Sequence, residues 1–333
     1  MIDLRYIVEN TLVPHAAFTE ANARIEQCMK YAVNSSEPIF LAIVGESRTG
    51  KSRFLEEHCS RYPTTRSKEG SIVPILAIKT PSKPTVKGVA ALMLERMGDP
   101  RFDFGTENAK TIRLKRLMGN VGTLEIILDE FQHFHDKGLH AVMHHMLDWL
   151  KILADDTKVL VTVSGLKSCI AILEQNEQLA GRFLAPVVMP RFDWANTDHR
   201  AEFVGILNTF YRSIALHFDI PNIGEEEMAF RCYCATGGLI GYLSKFLGQV
   251  VRNAVDSEKK IITLSDLSVA HKVSVWSREF TQDSLSPFSD RFEVTFSDEL
   301  LAKAREIGQE ASAINVPRSE RRPTNLRSKK FLG

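Results

Sequence analysis

Gly45-Glu46-Ser47-Arg48-Thr49-Gly50-Lys51-Ser52 has the spacing G-x-x-x-x-G-K-S, and these residue types in this order make a cradle for phosphates. The glycines allow a loop whose backbone N–H groups point inward, at a helix N-terminus that favours anions. The lysine then reaches the β- and γ-phosphates, and the following hydroxyl ligates magnesium; Lys51 and Ser52 take those places. Such a loop needs a strand before it and a helix after it. Ile39–Val44 is a short apolar run rich in β-branched residues that ends at Gly45, and Lys51–Arg61 has helical periodicity. The expected ligand is ATP with Mg²⁺. The bland alternative, a glycine-rich turn with a chance lysine, does not explain the flanking elements.

Further along, Leu124-Glu125-Ile126-Ile127-Leu128-Asp129-Glu130 is an apolar strand ending in two acids. If it runs through the same sheet it ends beside the loop, where Asp129 supports the metal with Ser52 and Glu130 polarises a water against the γ-phosphate. A solvated acidic turn is the alternative. The glutamate next to the metal aspartate suits hydrolysis better than a small-molecule kinase, which needs no water-activating base. Ser164 follows the apolar run Val159–Val163. Should that strand lie between the two motif strands, Ser164 would sense the γ-phosphate and the attacking water; otherwise it is a simple turn residue. Arg182, in Asn176-Glu177-Gln178-Leu179-Ala180-Gly181-Arg182-Phe183, follows the helical stretch Lys167–Gln175. It is expected on the far side of the core from its own loop, as an arginine that completes a neighbour's site, the alternative being a surface salt bridge.

Other reactive residue types carry less. His133, His135, His140, His144 and His145 cluster, and His140 and His144 share one helix face. No third ligand has good spacing, so a partly exposed helix or a subunit interface is the better account. The cysteines Cys28, Cys59, Cys169, Cys232 and Cys234 are odd in number and lack paired C-x-x-C spacing, which points to packed, reduced thiols in a cytoplasmic protein.

These residues need elements to hold them. The chain has 333 residues, 44% hydrophobic and 25% charged, enough for one large domain plus a smaller one with a real core. No apolar run approaches the length of about 18 residues that a membrane helix needs, and Met1-Ile2-Asp3-Leu4-Arg5 does not open a signal peptide. Strand and helix signals alternate to about Pro190: a strand over Ile72–Ile78, a helix over Thr85–Met97, a helix over Leu139–Leu153 and a fifth strand at Val187–Met189. Alternation of this kind means a parallel sheet covered on both faces. After Arg191 the strands stop, and Thr197–Leu216, Glu225–Ala235, Ile240–Val255 and Ser265–Phe280 all read as helices. The expected division is an N-terminal segment and helix over 1–36, an α/β nucleotide-binding core over 37–195, a helical lid over 196–280, and an extension over 281–333.

The net charge of +1 hides an asymmetry. The segment 317–333 carries +5 and few apolar residues, and is expected to be disordered. Residues 79–116 hold nine Lys/Arg against four acids. Both stretches could meet an anionic partner.

The ordered set of phosphate loop, Leu128-Asp129-Glu130 strand end, Ser164-Gly165-Leu166, Gln178-x-x-x-Arg182-Phe183 and a helical lid with Thr236-Gly237-Gly238 resembles AAA+ ATPases. Pro14-His15 before a helix, Ile78-Lys79-Thr80-Pro81 with Pro84-Thr85, and Gly237-Gly238-Leu239-Ile240-Gly241-Tyr242-Leu243 are similar to the TniB/TnsC family of DNA-transposition regulators, over roughly 10–280. Within it the chain looks closest to the TnsC of transposons that carry a CRISPR guide complex. The resemblance implies ATP–Mg²⁺ held by Gly45 to Ser52 and Asp129, Glu130 as hydrolytic base and Arg182 acting in trans. It also implies a ring or filament of identical subunits around duplex DNA, joining a target-selection complex to the transposase. DNA contacts in the family lie in the loop after the second strand, here Lys79, Thr80 and Lys83, without sequence preference. One departure stands out: where many AAA+ lids place an arginine three residues after the second glycine, this chain has Gly241. The rival readings are another AAA+ DNA remodeller or loader and a non-hydrolysing nucleotide-switch scaffold. A winged helix after the lid would favour the loader, and 282–333 is too short and irregular for one.

Overall fold

The computed structural model describes residues 3–68, 70–134, 140–174, 181–275 and 286–308. In chain order its strands are β1 (Phe40–Gly45), β2 (Thr65–Ser67), β3 (Gly70–Ile72), β4 (Ile75–Lys79), β5 (Glu125–Asp129), β6 (Leu160–Gly165) and β7 (Val187–Met189). Five of them form one parallel sheet in the order β4-β5-β6-β1-β7, and β2 and β3 make a separate antiparallel pair. The run expected as one strand over Ile72–Ile78 is therefore split. Pro74 has no N–H to give a ladder, and its carbonyl accepts from Leu124 and Glu125 N–H instead. β6 lies between β5 and β1, so the condition set for Ser164 is met.

Successive residues of a strand face opposite ways, and β1 shows what this does. Leu41 and Ile43 join one cluster with Phe18, Ile25 and Met29 of α2 (Ala16–Ala32) and Phe54 of α3 (Lys51–Arg61). Phe40, Ala42 and Val44 join the opposite cluster, built with α4 (Val86–Arg96), α5 (Glu107–Val121) and α6 (His140–Thr157). A fully buried Leu, Ile or Val contributes about 1.5–3 kcal/mol, so both faces hold the sheet against its helices. α7 (Ser168–Glu174) follows β6.

The lid is made of α8 (Thr197–Ala215), α9 (Glu226–Thr236), α10 (Ile240–Asp256) and α11 (Leu264–Ser274), around Phe203, Phe230, Tyr233 and Phe246. Two segments outside the expected lid boundaries add to this core. The short helix α1 (Ile7–Asn10) buries Ile7 and Val8 there. From the other end, Phe288 stacks on Phe246 at 5.0 Å, and α12 (Asp298–Glu306) buries Leu301 and Ala304. Of the expected tail, 317–333 lies outside the described residues.

Candidate nucleotide site

The phosphate loop occupies the turn from β1 to α3. Gly50 is the N-cap residue of α3 with φ 95°, a conformation that costs a glycine nothing. Arg48 adopts φ 68° without that freedom. Lys51 Nζ donates to Gly45 O at 3.0 Å and Glu46 O at 2.7 Å, so the ammonium sits inside the loop. Burial lowers its pKa, against the opposing pull of Glu130, Asp129, Cys169 and Glu46.

The sheet brings the acids to the same place. Ser52 Oγ donates to Asp129 Oδ2 at 3.1 Å across the β1–β5 gap, and Asp129 Oδ1 accepts the Glu130 N–H at 2.9 Å. A hydroxyl and a carboxylate in contact are the hard oxygen donors that suit Mg²⁺, with the remaining positions filled by phosphate and water. Glu130 stands at φ 56°, just past the strand. Two hydroxyls flank it, one on β6 and one just past the end of β4. Ser164 is fully buried opposite Ile43, and its Oγ has no hydrogen-bond partner. Thr80 is 2% exposed, its N–H bonds Asp129 O at 2.9 Å, and its Oγ1 also has no partner.

The lid closes directly onto the loop. Gly241 N–H donates to Arg48 O at 2.8 Å, and a Cβ at 241 would stand 2.9 Å from that oxygen and 3.1 Å from Arg48 Cα. Any side chain there would push α10 off the loop, which is a physical reason for glycine where other lids carry arginine. Arg48 in turn lies over the Tyr242 ring, 5.3 Å from its centroid. Between the N-terminal segment, Gly50 and the lid is a mostly apolar cavity of about 210 Å³, walled by Leu12, Val13, His15, Phe18, Ile240 and Gly241. His15 is buried with an unpartnered Nδ1, and burial lowers its pKa, so the ring is neutral at pH 7.

Arg191 belongs to the site without any motif that announces it. Its Nε donates to Glu46 Oε2 at 2.8 Å, and its terminal nitrogens reach Gly237 O at 3.2 Å, Arg305 O at 2.9 Å and Ile307 O at 2.7 Å. One guanidinium thus ties the phosphate loop to the lid and to the end of α12. Its place just after the last strand is the only signal the sequence offers.

A phosphate loop, an acidic strand end and a lid in this arrangement have known relatives. The model of the family described as "Bacterial TniB protein" matches residues 3–194. The chain belongs to the TniB family. No curated protein matches it. Among solved structures, it is similar to Cdc6p of Pyrobaculum aerophilum, at 12% identity and TM-score 0.61 over 83% of this chain and 72% of that one. It is also similar to the ORC2 protein of Aeropyrum pernix in its ADPNP-ADP complexes (14%, TM-score 0.58, 85% and 75%) and to ORC1 of the same organism in complex with DNA (15%, TM-score 0.54, 81% and 70%). At these identities the likeness shows the fold, and that fold is AAA+: a parallel five-stranded sheet among helices, followed by a helical lid.

The remaining expected residues fall in three places on this TniB-family chain. Arg182 lies at the opposite end of β1 from the phosphate loop: Phe40 N–H donates to Arg182 O at 3.2 Å. A six-residue strand spans about 17–20 Å, farther than the side chain reaches, so Arg182 is remote from its own loop. Lys79 and Lys83 are exposed at the exit of β4, whereas the burial of Thr80 corrects its expected place on the surface: its hydroxyl is buried, and its N–H bonds Asp129 O. Among the described residues no three His, Cys, Asp or Glu are grouped to hold a metal; His145 bonds Glu107 at 2.8 Å, and His135 and the side chain of His140 lie outside them. All five cysteines are free, and burial pushes the thiol pKa of Cys59 up to about 11 and those of Cys169 and Cys234 up to about 12, as befits inert packed groups. No helix among the described residues is long and apolar enough to cross a membrane.

Proposed function

We propose that this TniB-family chain is an ATPase that assembles on duplex DNA, links a target-selection complex to a transposase, and comes apart when its ATP is hydrolysed. The observation that carries the reading is the meeting of Ser52 and Asp129 at 3.1 Å beside Lys51, with Glu130 next in the chain. Gly45 to Ser52 hold the phosphates, Ser52 and Asp129 hold Mg²⁺, and the cavity beside Gly50 takes the base. The metal, when bound, neutralises charge on the β- and γ-phosphates. Glu130 accepts a proton from the water that attacks the γ-phosphorus, the bond to the β-phosphate oxygen breaks, and ADP and phosphate leave. Ser164, with its unspent hydroxyl, orients that water or the γ-phosphate.

Arg182, remote from its own loop, acts on a neighbour's nucleotide in a ring or filament of identical subunits. Lys79 and Lys83 bind DNA phosphates without base readout. A guide-RNA complex as the target-selection partner belongs to the same reading and rests on the sequence resemblance. The test is ATP turnover with and without duplex DNA, with electron microscopy of the protein on duplex DNA and a non-hydrolysable analogue. DNA-stimulated turnover and ordered assemblies are expected; ATP binding without turnover in either condition would leave a scaffold. Mixing Arg182→Ala with Lys51→Ala subunits should recover some activity, and none after shown co-assembly would refute action in trans. For DNA, Lys79→Ala/Lys83→Ala should lose affinity and flatten the slope of log affinity against log salt, by about 0.9 for each DNA phosphate left without its lysine. A chain stopped at Val316 should still bind. An unchanged slope in the double mutant would move the DNA site to the tail.

A further inference from the structure

The catalytic base proposed above is not held by the motif that names it. Glu130 stands in the left-handed region, φ 56°, which costs a non-glycine residue about 1–2 kcal/mol. Its N–H is spent on Asp129 Oδ1 at 2.9 Å. What fixes its carboxylate is a residue two places on. Gln132 Nε2 donates to Glu130 Oε2, while Gln132 Oε1 accepts the Leu166 N–H at 3.2 Å and lies 4.0 Å from the Cys169 thiol.

The amide is used at both ends, which settles its orientation. Turned over, it would set its carbonyl against a carboxylate and its NH₂ against an N–H, two repulsions in place of two bonds. Gln132 is 9% exposed and belongs to a 3-10 turn, Phe131–Phe134, closed by His133 N–H to Glu130 O at 3.1 Å. Phe131 and Phe134 anchor that turn in the core with ring centroids 4.8 Å apart. The room for the amide comes from Gly165: a Cβ there would stand 2.5 Å from Gln132 Oε1 and 2.5 Å from Cys169 Sγ. Leu166 directly follows β6, the strand that carries Ser164.

We propose that Gln132 is the positioning residue of Glu130, clamping its carboxylate to the loop that follows Ser164 so that base and γ-phosphate-facing strand keep one geometry. The inference rests on the hydrolytic reading of Glu130. A neutral amide suits the task because it directs one carboxylate oxygen without adding a charge beside Lys51, and it leaves the other oxygen to accept the proton from water. Gln132 acts through Glu130 and Leu166, so its removal should slow the chemical step and spare binding.

Gln132→Met keeps the volume and removes both hydrogen bonds. It should melt within a few degrees of the wild type and bind an ATP analogue with unchanged Kd, while DNA-stimulated kcat falls about tenfold to a hundredfold, the scale of a misplaced catalytic group. Combined with Glu130→Gln it should cost nothing further, because residues that act through one another are not additive. A readout independent of turnover is the side-chain amide signal of Gln132 in ¹H–¹⁵N spectra of the nucleotide-free protein, identified by its loss in Gln132→Met. Glu130→Ala should shift that signal. The proposal is overturned by wild-type kcat in Gln132→Met, by an equal further loss in the Glu130→Gln background, or by an amide signal indifferent to Glu130. A wild-type protein that binds ATP and never turns it over, yet shows the amide shift, would instead refute the hydrolytic reading and leave the hydrogen bond standing.

Discussion

β5 carries an acid at each end, and the two ends of the sheet treat them in opposite ways. At its start, Glu125 is fully buried, and its two carboxylate oxygens are both used: Oε1 accepts from Thr162 Oγ1 at 2.5 Å and Oε2 meets His58 Nε2 at 2.6 Å. His58 Nδ1 faces an Arg61 nitrogen at 3.3 Å, and Arg61 bonds Glu26 at 2.9 Å. Since arginine only donates, Nδ1 accepts and Nε2 carries the proton that goes to Glu125. The network is closed. At the other end, four residues on, Asp129 stands among the buried hydroxyls of Thr80 and Ser164 that bond nothing, next to Glu130 in a strained conformation. A buried polar group without a partner costs about 1–3 kcal/mol. Satisfied charges at one end stabilise the fold; at the other, the unpartnered donors are what the proposed nucleotide site would use.

The largest effect that follows belongs to the unspent end. Lys51→Ala removes the side-chain cation bonded inside the phosphate loop and should abolish ATP binding, measured by titration calorimetry, with DNA-dependent assembly lost alongside. Undiminished nucleotide affinity would break the assignment of that end as the ligand site. Next comes Glu130→Gln, which keeps size and hydrogen-bonding shape but cannot act as a base. Turnover should fall about 10²–10⁴-fold with ATP binding intact, and assemblies on DNA should last longer. Wild-type turnover in this variant would take the base role away from Glu130.

How much of this is legible in the sequence follows from how local each feature is. The phosphate loop, the Asp129–Glu130 pair and Ser164 are readable because they sit at the ends of β1, β5 and β6, and each strand is visible as an apolar run. Arg191 and Gln132 are not, because what defines them is a partner far along the chain: Glu46 is 145 residues from Arg191, and Leu166 is 34 from Gln132. α5 escapes a sequence reading because its buried stripe, Lys110–Leu114–Met118, begins with a lysine. That lysine buries its stem and gives its ammonium to Phe102 O, so a core position reads as surface charge. α12 is nine residues with two buried side chains, a signal too short to separate from an irregular tail. Thr80 lies between exposed lysines and so reads as part of a DNA-facing loop; strand alternation turns its side chain inward.

The closed end of the sheet gives the prediction of intermediate size. Glu125→Ala would leave His58 and Thr162 buried without their acceptor, and breaking a buried pair of this kind costs about 3–5 kcal/mol. For a protein of this length each kcal/mol moves the melting point by about 1–2 °C, so a fall of roughly 3–10 °C is expected in thermal melting. Nucleotide affinity of the folded fraction should hold, because the hydrogen bonds of this network join Glu125, His58, Thr162, Arg61 and Glu26 rather than the phosphate loop. A variant that melts with the wild type would erase the distinction between the two ends.

The smallest expected effect sharpens the comparison most. Ser164→Ala deletes a buried hydroxyl on the neighbouring strand, two residues from Thr162, whose own hydroxyl is bonded to Glu125. Because Ser164 Oγ has no partner, its loss removes no hydrogen bond and relieves a desolvated polar group, while the methyl that remains fills nearly the same space. Stability should therefore hold or rise, by up to about 1–3 kcal/mol. Thr162→Val, of similar size and on the same strand, should cost more, about 1–3 kcal/mol, because it strips a bond from a buried carboxylate. The two variants differ again in turnover: Ser164→Ala should hydrolyse ATP more slowly with its fold untouched, and Thr162→Val should keep the wild-type rate at temperatures where it stays folded. Denaturant melts and steady-state rates on the pair decide the matter. A Ser164→Ala protein that is destabilised as much as Thr162→Val has lost a structural bond, and the hydroxyl was never held in reserve for a ligand.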